Sequence, residues 1–508
     1  MKREARKLFH CLQRSLLTAV IGISLNGCMV GPDFRKPEAP SVMDYTSTAL
    51  PLETAGADIS GGAAQYFAVG KEISAQWWQL FNNPAIDQLI RQALADSPTP
   101  AAAQATLRKA RENLRARSGT EYFPQADASL SASRQKVSSA EYGLPNSPPV
   151  TYGLLNASVS VSYTLDIFGG GRRELEALQS QVDYQGYQLE AAYLALSANI
   201  VTAAVQEASL RSQLKATEEI IVLSEKLLKL VERHNELGGA SRAEVLTQQA
   251  QAAQFRANLP PLEKELARTR NQLAVYVGTF PGEARLPEFT LDQLNLPREL
   301  PISLPSSLVR QRPDIRAAEA LLHAASAQVG VATANLYPQI TLTGSLGSQA
   351  LTLAELVSNN ASVWSIGAGL VQPVFRGGEL TAKRRAAIAD YDAAAAQYRE
   401  TLLEAFQNVA DVLEALDADA VRLAAQVEAE RAARGSLELT QRQFECGTGN
   451  YLLLLIAQRQ DQQARINLAQ AQAARFADTA ALFQSLGGGW WNREEPERDR
   501  AVVKKENK

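Results

Sequence analysis

The sequence predicts a mixed fold, in which four transmembrane β-strands per chain are combined with very long antiparallel α-helices. Three observations support this prediction. Two stretches of about 67 residues, 171–237 and 379–445, contain no proline. Four shorter segments alternate apolar with small polar residues, which is the period of a β-strand with two different faces. The same order of segments occurs twice along the 508-residue chain, which predicts an internal two-fold repeat.

The repeat is visible as short matching motifs at nearly constant spacing. The matching pairs are 123–125 (FPQ) with 337–339 (YPQ), 167–168 (IF) with 374–375 (VF), and 233–238 (RHNELG) with 442–447 (RQFECG). Their offsets are 214, 207 and 209 residues. We therefore expect two equivalent halves, 83–280 and 308–488, joined by a linker at 281–307.

The first 27 residues resemble a secretory signal peptide, in which basic residues precede the short apolar run 16–25. The run ends in Leu-Asn-Gly-Cys, which resembles a bacterial lipobox with Cys28 as the lipidation site. The alternative is an ordinary signal peptide followed by a coincidental cysteine. With lipidation, 28–82 is a lipid-anchored N-terminal extension, and Met29 after the cysteine favours sorting to the outer membrane.

Composition excludes several classes of function. The net charge of −3 gives no overall basic surface for nucleic acid. Of three cysteines, Cys11 leaves with the signal peptide and Cys28 is lipidated, so Cys446 has no partner for an internal disulfide. The chain has three histidines and neither a CxxC nor an HExxH motif. We expect no metal, no cofactor and no enzymatic activity.

Each half begins with an alanine-rich helical segment, at 84–121 and 312–336, and continues into two strands. The strands are predicted at about 125–135, 155–166, 339–348 and 362–372. In the second of them, Leu155, Val159 and Val161 share one face with Tyr163, while serine and threonine occupy the other. This pattern is typical of a transmembrane barrel strand. A half-exposed sheet of a soluble protein shows the same alternation.

Long helices follow each strand pair, over about 171–277 and about 379–486. A helix of 67 residues spans about 100 Å at ~1.5 Å per residue, far more than a globular domain needs. Each long stretch is interrupted by glycine, at Gly238 and Gly239 and at Gly447 and Gly449, before a helix returns. These are expected to be helical hairpins with glycine at the turn. The charged tail, 489–508, is predicted to be disordered.

Four strands cannot close a barrel, and an open sheet edge in a bilayer leaves backbone groups unpaired at a cost of several kcal/mol each. The chain must therefore oligomerise. Two copies give eight strands, a barrel whose interior is filled by side chains. Three copies give twelve strands and room for an aqueous lumen.

Several motifs together resemble the TolC-like outer-membrane efflux proteins, and in particular the NodT-type lipoproteins of tripartite efflux systems. The motifs are Gly-Pro-Asp-Phe at 31–34, Trp-Trp at 77–78, "YTLDIFGGGRRELEA" at 163–177, "RPDIRAAEALLHAA" at 312–325 and "QPVFRGG" at 372–378. The resemblance implies a lipid-anchored homotrimer in the cell outer membrane, with one shared twelve-stranded barrel and a periplasmic helical tunnel.

The resemblance also implies partners and a function. The partners are a periplasmic adaptor (membrane fusion) protein, an inner-membrane pump and outer-membrane lipid. The function is the exit duct of a tripartite pump that exports small molecules such as drugs or toxic compounds. Type I protein secretion and metal-ion efflux use the same fold and are the alternatives. A coiled-coil scaffold without a pore is a further alternative, which needs no barrel strands.

Two sets of site residues follow from the resemblance. The glycines of the turns, Gly238, Gly239, Gly447 and Gly449, are expected to lie at the periplasmic tip where the adaptor docks, although glycine also simply caps a helix there. After the second turn, the family pattern has an aspartate where this chain has Ile456, and Leu453 is also apolar. We expect these two residues to form an apolar periplasmic constriction. Packing within the coiled coil is the alternative for Leu452 and Leu455.

The glycine runs between strand and helix are the last candidate site. Gly169, Gly170 and Gly171, and Gly377 and Gly378 in the second half, could cradle a phosphate on a helix N-terminus. The G-x-G-x-x-G spacing is absent from the second copy, and the preceding strand is two-faced, so we interpret both runs as joints between barrel and helix. The nearby cations Arg172, Arg173 and Lys383–Arg385 are expected to meet anionic headgroups or line the duct.

Overall fold

The structure is a computed structural model that describes residues 29–138 and 148–493. The predicted signal peptide, Cys28 and residues 494–508 lie outside the described residues. The described residues form two compact units. The first unit consists of the chain up to Lys36, Leu107–Gln185 and Ala318–Tyr398, and the second consists of Pro37–Thr106, Gly186–Ala317 and the chain from Arg399.

Six strands and ten α-helices are formed by the described residues. In chain order they are β1 Tyr66–Val69, α1 Pro84–Asp96, α2 Pro98–Tyr122, β2 Gln125–Val137, β3 Val150–Leu165, α3 Gly170–Glu236, α4 Arg242–Ala257, α5 Leu259–Tyr276, β4 Glu299–Ile302, α6 Pro305–Gln311, α7 Pro313–Ala334, β5 Gln339–Ala350, α8 Leu353–Leu356, β6 Ser362–Val371, α9 Glu379–Glu445 and α10 Tyr451–Ser485.

The first unit is built around an antiparallel four-stranded sheet with the order β2-β3-β5-β6. β3 begins at Val150, five residues before the predicted start, because β2 continues to Val137 and pairs with it there. The strands are 10–16 residues long, which suits strands that cross a bilayer with a tilt.

The register gives this sheet one apolar and one hydroxyl-rich face. Val159 of β3 lies beside Leu346 of β5, which lies beside Trp364 of β6. One residue further along each strand, the neighbours are serines: Ser160, Ser345 and Ser365. The serine side chains are in contact, since the hydroxyls of Ser345 and Ser365 are 2.8 Å apart. The apolar row is exposed in the single chain.

The second unit contains the parallel pair β1-β4 and a large apolar core. The predicted Trp-Trp motif is at the centre of this core, where Trp77 is 1% exposed and stacks on Phe483 of α10. α1 is capped by Asn83, whose side chain accepts hydrogen bonds from the backbone of Ala85 and Ile86. The predicted N-terminal extension and inter-repeat linker thus contribute β1 and β4 to this unit.

The returning helix of the first half is broken where the sequence analysis predicts a continuous helix to about 277. α4 ends at Ala257 and α5 begins at Leu259, because Pro260 and Pro261 have no backbone N–H to donate and favour a new helix start. In the second half α10 runs without interruption for 35 residues.

One described helix, α3, has a window apolar and long enough to cross a membrane by composition, and 44% of that window is buried inside the protein. Its residues Ile200, Val201 and Ala204 belong to the core of the second unit. The apolar composition of this helix is therefore explained by packing.

The start of the predicted disordered tail is ordered. Residues 490–492 form a short 3-10 turn, and the indole N–H of Trp490 donates to the carbonyl of Gln311 at 2.6 Å. Asn492 donates to the carbonyl of Ile73 at 2.8 Å. These hydrogen bonds fix 489–493, so the prediction of disorder is wrong there.

Candidate functional site

The first joint, 166–173, connects β3 to α3. The carboxylate of Asp166 accepts hydrogen bonds from the backbone N–H of Arg172 at 3.0 Å and from its Nε at 3.2 Å. An acceptor at this place satisfies a free N–H of the first helical turn and offsets the positive end of the helix dipole. The cation at Arg172 is therefore balanced within the chain.

All three glycines of the first joint are in tight contact. Gly169 has φ +77° and lies against Met29, while Gly171 lies against the carboxylate of Glu121. A cavity of about 350 Å³ beside the joint is lined by Asp166, Glu121 and Glu174, and by Arg117, whose guanidinium is already paired with Glu121 and Glu174 at 2.9 Å each. The positions that would hold a phosphate are thus filled or acidic, which supports the interpretation as a joint.

The N-terminal strap, defined as Met29–Lys36, is bound to this joint through Arg173. The Arg173 side chain is 1% exposed and pairs with Asp33 at 2.6 Å and with Glu176 at 2.7 Å. Burial lowers the pKa of Arg173, but the hydrogen bonds to the two carboxylates outweigh it and raise the pKa overall. The expectation that these arginines contact headgroups or the lumen is wrong for Arg173, which is buried within the chain, and stays a prediction for Arg172, whose side chain is 37% exposed.

Further contacts hold the strap along α7. The ring of Phe34 stacks on His323 with 4.2 Å between centroids, and Lys36 pairs with Glu319 at 3.2 Å. Gly31 packs directly on Gly330, where a Cβ would lie 2.5 Å from the opposing Cα. The Gly-Pro-Asp-Phe motif marks the family in the sequence, but its packing role depends on residues about 140 and 290 positions away, which no local pattern indicates.

The second joint, 372–379, connects β6 to α9 and has little packing within the chain. Gly377 and Gly378 have φ +58° and +83°, and a Cβ at either would meet nothing within 4 Å. Val374 and Phe375 are 92% and 89% exposed. The glycines are required by backbone conformation alone. In the first turn of α9, Lys383 pairs with Glu379 at 2.5 Å.

The first tip turn, 237–241, follows α3. Gly238 has φ +76° and its N–H donates to the carbonyl of Asn235, while Gly239 N–H donates to the carbonyl of His234. Ser241 and Glu244 then form a reciprocal capping box at the start of α4. Glycine is needed here because the turn uses the left-handed region of φ.

The second tip turn, 446–450, lies close to the first. Gly447 has φ +74°, and a Cβ at Gly449 would collide with the backbone of Phe444. Residues of both turns line one cavity of about 650 Å³, among them His234, Gly239 and Gly449. The structure therefore brings the two predicted tip sites together.

Tyr451, which the sequence analysis did not single out, connects the two turns. Its hydroxyl donates to the carbonyl of Glu244 at 3.2 Å and to Oε1 of Gln248 at 3.0 Å. Burial, followed by the nearby charge of Glu244, raises the pKa of Tyr451 to about 12. Its role depends on a contact about 200 positions away, which no local pattern indicates.

The apolar residues after the second turn divide by exposure. Leu454 and Leu455 are buried at 1% and 7%, whereas Leu453 and Ile456 are half exposed, at 53% and 43%. Residues three apart share one helix face, so Leu453 and Ile456 form a single exposed apolar patch. Leu455 packs within the chain, as the packing alternative expects, whereas Leu452 is 60% exposed in the single chain, so its packing stays a prediction.

Comparison with known proteins decides the family. Residues 89–279 and 304–488 match the model of the family described as outer membrane efflux protein. The chain belongs to that family. It is 31% identical over 454 residues to the pyoverdine export outer membrane protein OpmQ of Pseudomonas aeruginosa, with 87% of this chain and 94% of the relative covered.

Two further relatives agree in length and fold. The probable efflux pump outer membrane protein TtgC of Pseudomonas putida is 30% identical over 489 residues, covering 94% of this chain and 96% of the relative. The solved structure of the outer-membrane channel OprN has a TM-score of 0.81 and 30% identity, with 91% of this chain and all of that chain covered.

These matches confirm the resemblance to outer-membrane efflux proteins. The chain is an outer-membrane protein of efflux, with the fold of outer-membrane channel proteins. The family is one of channel proteins rather than enzymes. Among residues 29–138 and 148–493, no group of three or more His, Cys, Asp or Glu side chains is placed to hold a metal ion.

Proposed function

We propose that three copies of this chain form the exit duct of a tripartite efflux pump, with a shared twelve-stranded barrel in the outer membrane and a helical tunnel in the periplasm. The single observation that carries the proposal is the four-stranded sheet with one exposed apolar face, one hydroxyl face and two free edges. Because the sequence repeats once, each half supplies two strands and one helical hairpin.

The sheet has the chemistry of a barrel wall. Trp364 and Ile366 of β6 are 72% and 82% exposed and lie on the apolar face. In water such a face would be an aggregation hazard, whereas acyl chains solvate it. The opposite face carries serine, threonine and glycine, whose small polar side chains line an aqueous lumen.

The edges require additional copies. In the described sheet, β2 pairs only with β3 and β6 pairs only with β5. Within a bilayer these edges must pair with strands of other copies, because unpaired backbone groups there cost several kcal/mol each. Three copies supply twelve strands, and the hydroxyl face then encloses a water-filled channel.

Neighbouring substitutions on the two faces test the barrel. We expect Ile366→Asp to place a carboxylate in the acyl chains and to abolish heat-modifiable trimers in outer-membrane fractions. We expect its matched control, Ser365→Asp, to assemble normally and to increase cation selectivity in planar-bilayer recordings, because three carboxylates then line the lumen. Equal effects of the two substitutions would contradict the barrel.

The partners follow from the same proposal. An adaptor docks on the tip turns at Gly238, Gly239, Gly447 and Gly449, and connects the duct to an inner-membrane pump. The support is the shared cavity between the two turns and the exposure of Leu237, at 70%. A cysteine at Leu237 should cross-link to the adaptor in cells, and the absence of such a product with an active pump would contradict docking here.

The patch formed by Leu453 and Ile456 is proposed as the periplasmic constriction. Three apolar patches around one axis close by packing and exclude water, so resting conductance should rise when Ile456 is replaced by Asp. Strong block of the unmodified duct by periplasmic divalent cations would contradict an apolar closure. The half-exposure of both residues in the single chain supports this placement.

The cargo is proposed to be small organic molecules. Relatives are named for pyoverdine export, antibiotic efflux and toluene efflux, and this proposal extends that class to the present chain. Loss of the duct should sensitise cells to such compounds. Metal-ion efflux or type I protein secretion becomes the better assignment if metal sensitivity, or retention of a secreted protein, is the phenotype instead.

Lipidation at Cys28 is proposed on the sequence motif and on the position of the strap. Met29 contacts Gly169 at the first joint, so an acylated Cys28 would be attached at the end of β3. Palmitate labelling should be lost in Cys28→Ser. Persistent labelling of that variant would contradict the assignment.

A further inference from the structure

Separate apolar clusters hold the long helices of the second unit together, and two of them matter here; a smaller one, of Leu423, Val427 and Ala471, lies beside the larger of these two on α9 and α10. The tip core, next to the tip turns, is Ile220, Leu227, Val231, Val245, Phe255, Leu437, Phe444, Leu454 and Ala457. The body core is the large cluster around Trp77 described above. On α10 the tip core ends at Ala457 and the body core begins at Ala469, a distance of about 18 Å along a helix.

Buried polar side chains lie in the interval between the two cores on all three long helices. On α3 and α9 they alternate with buried apolar residues such as Leu210 and Leu423, whereas on α10 the buried side chains larger than alanine are all polar. On α10 they are Gln458, Asp461 and Gln462, which are 0%, 1% and 7% exposed. α3 contributes Gln213 and Thr217, and α9 contributes Glu430. We call this set the polar belt.

The polar side chains of α10 are incompletely hydrogen-bonded. Both polar atoms of Gln458, Oδ1 of Asp461 and Nε2 of Gln462 have no partner among the described residues. By contrast, Gln213 and Thr217 on α3 are hydrogen-bonded to protein groups. Buried polar atoms in folded proteins are nearly always satisfied, by protein or by ordered water.

Another copy of the chain cannot supply the missing partners, because Gln458 and Asp461 are already buried within one chain. A metal cation is disfavoured by charge. Arg465 Nε lies 3.0 Å from Oδ2 of Asp461, and Arg434 of α9 also acts on this carboxylate. Arg465 Nε and Asp461 Oδ2 form an ion pair without the geometry of a hydrogen bond. Nε of Arg465 therefore also lacks a hydrogen-bond acceptor among the described residues.

The missing partners are therefore best supplied by water, which both donates and accepts. We propose that Gln458, Asp461 and Gln462 enclose a cluster of internal water molecules, and that this hydrated belt is a hinge on which the tip core opens separately from the body core. This proposal rests on the proposed function in one respect, namely that the tip is the end of the duct that opens.

The physical basis is the difference between apolar and hydrated packing. Apolar clusters transmit displacement because they are close-packed, whereas water-mediated contacts are exchanged at little cost. Segments with few apolar contacts also open at lower free energy than the core. At its buried α10 positions the polar belt has no apolar side chain larger than alanine. It therefore separates the tip core from the body core, which would otherwise unfold together.

Hydrogen exchange of the full-length trimer in detergent tests the hinge. In the unmodified protein, amides of the tip helices at 444–457 should exchange faster than those of 469–482. We expect the double variant Gln458→Leu/Gln462→Leu to slow exchange at 444–457 by about tenfold, while exchange at 469–482 stays unchanged. A tenfold change corresponds to the net free energy of about one hydrogen bond. No pump is needed, so loss of efflux cannot account for the result.

Gln463→Leu is the matched control, since Gln463 is the exposed neighbour on the same helix and should leave tip exchange unchanged. If the leucine variant fails to assemble, Gln458→Met/Gln462→Met keeps the side-chain length and serves the same purpose. Unchanged or faster tip exchange in the assembling variant, or equal slowing in both segments, would overturn the hinge. An experimental density map without water at the unpaired atoms would overturn the cluster.

Discussion

The two joints have the same local chemistry and opposite surroundings. Each has a glycine with positive φ between a two-faced strand and a 67-residue helix. At the first joint Gly169 contacts Met29 and Arg173 pairs with two carboxylates, whereas a Cβ at Gly377 or Gly378 would meet nothing within 4 Å and Phe375 is exposed. The repeated motif thus determines the backbone turn, and the rest of the chain determines how tightly the turn is held.

The difference follows from position in the sheet. The first joint follows β3, a central strand, and the chain's own N-terminal strap covers it. The second follows β6, an edge strand. We infer that, in the proposed trimer, a neighbouring copy packs against the second joint, as the strap packs against the first.

Among the substitutions that test this comparison, Arg173→Met should lower the free energy of unfolding most. The substitution removes the charge-assisted hydrogen bonds that the buried Arg173 donates to Glu176 and Asp33. Since hydrogen bonds to charged groups contribute about 1.5–3 kcal/mol each, we expect a loss of about 3 kcal/mol. Lys383→Met, the control at the second joint, removes an exposed pair that solvent screens, so it should leave the free energy of unfolding nearly unchanged. Urea unfolding measures both, and protease cleavage within the strap should accelerate only in Arg173→Met. Equal losses would remove the distinction between the joints.

Replacing the joint glycines Gly169 and Gly377 by alanine should lower the free energy of unfolding by an intermediate amount. Gly377→Ala meets no neighbour and should cost about 1 kcal/mol, for positive φ alone. Gly169→Ala carries the same backbone cost and also displaces Met29, for a total of about 2–3 kcal/mol. The difference between the two unfolding free energies isolates the contribution of the strap. A larger loss at Gly377 would show that the second joint is the more tightly packed one.

The smallest effect is expected for the aromatic residues. Phe34→Leu should cost about 1 kcal/mol through loss of the stack on His323. Phe375→Leu should leave the unfolding of the dissociated chain unchanged but lower the temperature at which the proposed trimer dissociates. A variant with no effect on trimer dissociation would show that Phe375 is not covered by a neighbouring copy.

Features with a strong local period were predictable from the sequence. The strands and the long helices α3 and α9 follow from alternation and from the absence of proline. The break at Pro260 and Pro261 was also visible in the sequence but was outweighed by the helical pattern around it. The buried role of Arg173, the link made by Tyr451 and the order at Trp490 depend on distant partners, so no local pattern could predict them.

The packing of Met29 against Gly169 has a consequence for the order of events in biogenesis. Val30 donates its N–H to the carbonyl of Phe168 at 3.1 Å, so the strap contacts the first joint from the second residue after the proposed lipidation site. If the proposed signal peptide holds the chain at the inner membrane, this contact cannot form beside the proposed barrel in the outer membrane. The proposal therefore predicts that cleavage and transport precede closure of the first joint, and that the strap is among the last parts of the chain to be secured.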